Sequence, residues 1–400
     1  MFQIIKDAKF IKYMALFFVL SPYPALAEGT IPATDKNIMI KRDWDLGKSN
    51  MPEIQLFYHE INGVAPGDIT YSYDGIVCLS NTNPEYGSCV TNYSRRTVDG
   101  ISNINLQLTE RRSGMKANIN LTGYASKYYP DISVCNIQMP PSNYIDSPTY
   151  LYSAPYAIQK QKCLAWDDRA ATEITNPGWA LTIKIPQGQN LPVGGVWEGN
   201  MILKQVNSLG INATWKAHLQ FDVTDTNHID IYFPEFGTAA PLVPLNIHPT
   251  GGASPTPGGQ DVTNLDMCLY DGFNVNSSKY EVLLEDGNHR TPAGRPMGWF
   301  SVYRDGGDEN QPRDRIDYQV RMNNPETDAM MDVRNGELIT WNAVNTHRVR
   351  PVRLPSISYP VLCAPTPLEF RVNKFATADK NAGQYHGTLR VTFTPTTTTL

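Results

Sequence analysis

The chain has 400 residues, 18% of them charged and 41% hydrophobic, with 29 Gly, 30 Pro and a formal net charge of -5. At roughly 100 to 200 residues per domain, this length suggests two or three domains and excludes a single small one. The acidic balance, and the lack of any Lys/Arg run longer than two, exclude a binder held by phosphate neutralisation. No nucleic-acid partner is expected, and protein or neutral sugar surfaces come first.

The first 27 residues read as a secretory signal. Lys6, Lys9 and Lys12 precede the apolar stretch from Tyr13 to Leu20, and Ala25-Leu26-Ala27 supplies the small-x-small cleavage pattern. Its removal takes three Lys and one Asp and moves the net charge from -5 to -7. No other stretch reaches the roughly 18 apolar residues that a membrane-spanning helix needs. A soluble exported protein is expected.

Beyond the signal the pattern has period two. Ile104, Leu106 and Leu108 alternate with Asn105, Gln107 and Thr109, which predicts a strand with one buried face. Ala117, Ile119 and Leu121 continue it across the hairpin connection Arg111-Arg112-Ser113-Gly114. Leu181 to Ile185 reads as a further strand. From Ala213 to Thr224 the alternation is longest, placing Trp215, Ala217, Leu219, Phe221 and Val223 on one face and His218 on the solvent side. Short strands are expected at Ile229 to Phe233, Tyr280 to Leu284, Trp299 to Tyr303, Glu369 to Val372 and Thr388 to Thr394, with Pro249 to Gly259 as a loop. No 15-residue stretch shows helical spacing. The expected fold is all-β, two tandem sandwiches, divided near Thr226-Asn227 where polar turn formers interrupt the alternation. That gives residues 28–225, a linker at 226–227, and residues 228–400.

Six cysteines in an exported chain suggest three disulfides, although 15 connectivities exist in principle. Nearest neighbours would pair Cys78 with Cys89, Cys135 with Cys163, and Cys268 with Cys363. With neither Cys-x-x-Cys nor His-x-x-x-His present, no metal or other cofactor is expected. Asp305, Asp308 and Glu309 miss the spacing of a calcium loop and read as a solvated turn. Gly-x-Ser-x-Gly, His-Glu-x-x-His and the phosphate-binding loop are absent. The one formal catalytic hit, Ser113-Gly114-Met115-Lys116, sits in a hairpin without a Lys-Thr-Gly partner. The chain therefore reads as a non-enzyme. Asn-x-Ser/Thr sites at Asn92, Asn120, Asn212 and Asn276 carry meaning only in a eukaryotic source.

Several segments resemble the minor tip subunit of class 5, CFA/I-like fimbriae, which the alternate chaperone-usher pathway builds. They are Phe233-Pro234-Glu235-Phe236, Leu245 to Gly252, Asp266-Met267-Cys268-Leu269-Tyr270-Asp271-Gly272, Pro360-Val361-Leu362-Cys363 and Gly383 to Pro395. Val77-Cys78-Leu79-Ser80, Leu108 to Ser113 and Asn190 to Trp197 extend the likeness into the N-terminal half. The resemblance implies an Ig-like adhesin domain followed by an Ig-like pilin domain, and the three nearest-neighbour disulfides. It implies as partners a periplasmic chaperone, an outer-membrane usher, the major subunit's donor strand and a host-cell glycan or glycoprotein. It also implies a location at the fimbrial tip, reached through the periplasm. The last alternating strand ends close to Leu400, so the second sandwich is expected to lack a strand. Its edge residues Leu389, Val391 and Phe393 would then line a groove for a donated one. The receptor arginines of the family fall at Gly75 and at Asn207-Ser208, which removes the cationic site. Arg111-Arg112 and Arg95-Arg96 are candidate replacements, and Tyr124, Tyr128 and Tyr129 are candidate sugar-stacking rings. Two other functions compete with the adhesin: an assembly initiator or structural subunit without receptor binding, and a secreted β-sandwich hydrolase.

Overall fold

The computed structural model describes residues 32–63, 74–96, 98–128, 144–153, 178–236, 240–250, 257–287 and 291–396. The expected signal at 1–27 and the Cys135–Cys163 pair lie outside the described residues. Among those described there are 23 strands and five single 3-10 turns, and no α-helix. The all-β expectation therefore holds.

Strands up to Thr224 form one sheet, in the order Lys36–Asp45, Gly210–Thr224, Gly195–Asn207, Ser102–Glu110, Lys116–Tyr128, Gly178–Ile185 and Ile54–Ile61. Gly75–Cys78 and Tyr144–Thr149 join it as side branches. The sheet folds over itself because the free edge of Gly195–Asn207 pairs first with Ser102–Glu110, at Glu198 and Trp197, and further on with Gly75–Cys78, at Leu203 to Val206. The alternation reads directly into this layout. Ile104, Leu106 and Leu108 are buried, as are Trp215, Ala217, Leu219, Phe221 and Val223. Trp215 stands edge-on to Phe57 at 4.9 Å and to Trp179 at 5.7 Å, so aromatic rings fill the centre. Lys36–Asp45 runs parallel to Gly210–Thr224 for ten residue pairs, from Lys36 opposite Trp215 to Asp45 opposite Thr224.

The second sandwich has three sheets. Asp230–Tyr232, Cys268–Tyr270, Val361–Pro365 and Arg350–Val352 make a four-stranded one. Seven strands from His248–Thr250 to Tyr385–His386 make another, and Leu338–Asn342, Lys279–Asp286 and Leu389–Thr396 the third. The expected loop at Pro249 to Gly259 is corrected at both ends, because His248–Thr250 pairs antiparallel with the start of Gly258–Leu265. Tyr280, Phe300 and Trp341 are fully buried between the sheets. Cys78–Cys89 and Cys268–Cys363 are bonded, with Cα atoms 5.3 and 5.7 Å apart.

A 3-10 turn, Thr226–His228, joins the two sandwiches, and the junction is packed. Cys268, Tyr270 and Cys363 belong to the same buried cluster as Trp44, Leu191 and Val193. A Cβ on Gly194 would lie 2.1 Å from the Gly272 carbonyl oxygen, and one on Gly272, whose φ is +69°, would lie 2.3 Å from that of Asp225. Only glycine allows these backbones to meet. The Asp225 N–H donates to the Gly272 carbonyl at 2.8 Å. Glu110, fully buried, accepts from the Val196 and Ser113 N–H groups on its own side and from Asn276 Nδ2 across the junction. Arg112 reaches over and donates to the carbonyls of Val275 at 2.7 Å, His347 at 2.9 Å and Asn345.

Two outcomes follow. Arg112→Ala strands three carbonyls and should cost about 2–3 kcal/mol, splitting one calorimetric transition into two; a single transition at the wild-type temperature would contradict the clamp. Changing Cys268 and Cys363 together to Ala opens a loop of 95 residues. Chain entropy then predicts a loss of about 4–5 kcal/mol in urea unfolding, and a loss under about 1 kcal/mol would show that this loop is already closed in the unfolded chain.

Candidate functional site

Two regions stand out: a groove in the second sandwich and the far pole of the first. The groove lies between two sheet edges. Leu389–Thr396 pairs through one edge with Lys279–Asp286, from Leu389 opposite Asp286 to Thr396 opposite Lys279, and no described strand pairs with the other. Its apolar set, Leu389, Val391 and Phe393, is only half-buried, although Phe393 packs edge-on against Tyr280 at 4.9 Å. Facing it, residues 241–247 run without a ladder partner into the edge strand His248–Thr250. There Val243, Leu245 and Ile247 are half-buried and alternate with exposed Leu242, Pro244 and Asn246. Two period-two apolar rows thus face one opening. A cavity of about 540 Å³ occupies the interval, floored by Leu265, Leu368 and Phe370 and walled by Val243, Leu389 and Val391. An extended segment laid here would find apolar sockets two residues apart and an unpaired backbone edge.

The pole is set by strand length. Gly195–Asn207 starts at the junction and, at about 3.3 Å per residue, ends about 40 Å away. The turn at Asn207, Ser208, Leu209 and Gly210 closes the hairpin with Gly210–Thr224, and Asn207 Oδ1 caps the Leu209 N–H at 2.8 Å. Gly75 pairs with Val206 beside this turn, so the chain does bring Gly75 and Asn207-Ser208 together. Gly75 is buried, and a Cβ there would meet the Leu151 oxygen and the Tyr93 ring, each at 3.0 Å. Beneath the turn lies a residue that the alternation did not reveal. Asp74 is fully buried and accepts from Gln205 Nε2 at 2.6 Å, Asn207 Nδ2 at 2.9 Å and Asn212 Nδ2 at 2.8 Å. Gln205 in turn accepts from Asn62 Nδ2 at 2.8 Å and from the Trp215 indole at 2.9 Å. Amide dipoles offset burial only in part, and the Asp74 carboxyl is pushed up to about 6. The pole is thus a neutral amide cap over a buried acid.

The other sequence candidates lie elsewhere. Arg112 holds the junction, and Arg111 is paired with Glu198 at the same end, so this doublet stands a strand's length from the pole. As receptor contacts they are corrected to junction residues. Arg95 and Arg96 are exposed in a turn after Ser94. Tyr124 is half-buried in Lys116–Tyr128, which Tyr128 ends, and Tyr129 lies outside the described residues. Ser113 Oγ donates to Glu110 at 2.7 Å as a turn cap. Asp305 accepts from His386, and no cluster of three potential metal ligands occurs among the described residues.

Comparison with known proteins agrees with this layout. The family profile for the first domain of the CFA/I fimbrial adhesin CfaE matches residues 24–226, and the profile for its second domain matches residues 229–397. The chain is 29% identical over 338 residues to the corresponding CFA/I fimbrial protein of Escherichia coli, covering 82% of each. It superposes at a TM-score of 0.74 and 26% identity on CfaE, the adhesive subunit of CFA/I fimbria of enterotoxigenic Escherichia coli, covering 92% of this chain and 94% of that one. A chaperone–tip adhesin complex from CFA/I fimbriae biogenesis gives a TM-score of 0.62 at 26% identity, covering 92% and 98%. With the first-domain profile alone matching half of its length, and the second-domain profile most of the rest, the chain belongs to the CfaE family of CFA/I-type fimbrial adhesins.

Proposed function

We propose that this chain is the tip adhesin of a fimbria. In this reading, residues 28–225 face a host-cell receptor through the pole, and residues 228–400 accept a strand from another subunit. The observation that carries it is the open groove between Leu389–Thr396 and residues 241–247, with its two half-buried apolar rows. Unpaired strand edges beside apolar surface aggregate unless covered. A donated strand supplies both the backbone partners and the alternating side chains. The resolved relative in complex with its chaperone supports a chaperone as first donor. The major subunit would replace it at the usher, outside the cell's inner membrane.

Placement at the tip is supported by Lys36–Asp45. This strand spends ten residues of backbone inside its own sheet and so is not free for a neighbour. The chaperone–tip adhesin relative concerns activation of fimbriae biogenesis, so an initiating role is the second reading, and it uses the same groove.

Fusing a donor segment of the major subunit after Leu400 should turn an aggregating, chaperone-dependent chain into a soluble monomer. Val391→Asp should abolish that rescue by placing a charge in the groove. A fusion that gains neither solubility nor melting temperature contradicts the reading.

The pole makes a second prediction. Because the folded Asp74 carboxyl titrates near 6 while its unfolded value is 3.8, folding is favoured most below about pH 4 and loses that contribution as pH rises through about 6. Relative to Asp74→Asn, the wild type should lose about 3 kcal/mol between pH 4 and pH 7. Parallel stability profiles for the two proteins would show that the carboxylate is not held in this network.

A further inference from the structure

The first domain carries a second concave feature, beside the pole and outside the amide cap. It is a groove of about 220 Å³ whose lining includes Ile76, Asn103, Tyr150 and Tyr152. Tyr150 and Tyr152 stack at 5.4 Å between centroids with 22° between planes, and both rings are half-exposed. Rings of this kind would ordinarily be mobile on a surface turn, but here the backbone holds them. Tyr150 N–H donates to Val98 O at 3.0 Å, Leu151 N–H to Ser102 Oγ at 2.9 Å, and Tyr152 O accepts from Ser94 N–H at 2.9 Å. Gly100, at φ +150°, lets the Tyr150 ring lie on the main chain: a Cβ there would fall 2.4 Å from the ring. The Cys78–Cys89 bridge closes the neighbouring loop, and Cys89 reaches the groove wall.

The chemistry of the lining is selective. It includes no Lys, Arg, His, Asp or Glu, and its polar groups are the Asn103 amide, the Ser102 hydroxyl, the tyrosine phenols and backbone. Such a surface offers an aromatic face to C–H groups and neutral hydrogen bonds to hydroxyls, and gives an anion nothing to pair with. The volume lies below the roughly 300 Å³ of drug-sized pockets and suits one ring, not a chain of them. Its position also fits: Ile76 lines the groove, and the preceding Gly75 abuts Leu151 O and pairs with Val206 at the pole.

Resting on the adhesin reading above, we propose that the Tyr150–Tyr152 groove is the receptor subsite of this chain and takes the pyranose ring of an uncharged sugar. A rigid aromatic pair binds at low entropic cost because the rings are already ordered.

The test is binding of the full mature chain to cells and to an array of neutral, sialylated and sulfated glycans. Neutral glycans should bind, with little change between about 0.05 and about 0.5 M salt, since no ion pair is involved. Tyr152→Ala should weaken binding by about tenfold or more, with an unchanged melting temperature. Should Tyr152→Ala fail to fold, Asn103→Ala, on an exposed amide of the wall, should still weaken binding several-fold by loss of a neutral hydrogen bond. Binding confined to sialylated or sulfated glycans and lost at high salt would overturn the proposal in favour of a cationic contact such as the Arg95-Arg96 turn. Cell binding that persists unchanged in folded Tyr152→Ala and Asn103→Ala overturns the subsite and leaves the adhesin reading intact. A wild-type chain that binds neither cells nor any glycan overturns both.

Discussion

Backbone N–H and C=O groups at a sheet edge must find partners, and this constraint organises the second sandwich. Leu389–Thr396 satisfies one edge on Lys279–Asp286 and leaves the other facing residues 241–247. The same geometry leaves Leu389, Val391 and Phe393 half-buried on one wall and Val243, Leu245 and Ile247 half-buried on the other. Hydrogen-bonding demand and apolar exposure therefore coincide in one slot. A single extended peptide answers both, whereas closing the two edges on each other would leave the cavity between them unfilled.

The first sandwich is built on the opposite principle, with its sheet folded over itself and its N-terminal strand locked in parallel register. What joins the two is not a tether. Gly194 and Gly272 bring backbone against backbone, buried Glu110 gathers donors from both sides, and Arg112 ends on carbonyls of the neighbouring sandwich. Each of these contacts requires the others to stay in register, since a shift of about one ångström would place Arg112 out of hydrogen-bond range. The junction thus holds the pole at a set direction from the groove, about a strand's length away. An object that is anchored at one end and makes contact at the other needs that stiffness.

At the pole the electrostatics are quiet. The buried Asp74 carboxylate is met by amides and not by a cation, and the turn over it carries Asn207 and Ser208. Contacts with a partner at this end are left to hydrogen bonds and aromatic faces. Nearby, Tyr150 and Tyr152 are ordered by their own backbone and by Gly100.

Period-two alternation by itself determined the all-β class and many of the strands, because burial on one face dictates residue type at every second position; Ser102–Glu110 and Gly210–Thr224 were legible in this way. The same alternation at Leu389, Val391 and Phe393 marked the groove strand, since a donated strand demands the pattern that a native neighbour would. Other elements were illegible for local physical reasons. Gly195–Asn207 hides its pattern because Gly199 turns inward where a Cβ would meet Leu108 at 2.5 Å, and Gln205 turns inward to serve Asp74, while Ile202 points outward. Lys36–Asp45 is charged and half-exposed, so only its parallel ladder makes it a strand. The division of labour among Arg111, Arg112, Gly75, Asn207 and Ser208 was decided by tertiary structure alone. Sequence places Arg111-Arg112 in a hairpin turn, but which end of the molecule that turn occupies depends on the direction in which a strand runs between the junction and the pole. Pairing across the sheet sets that direction, through contacts between residues scores of positions apart that no local pattern records.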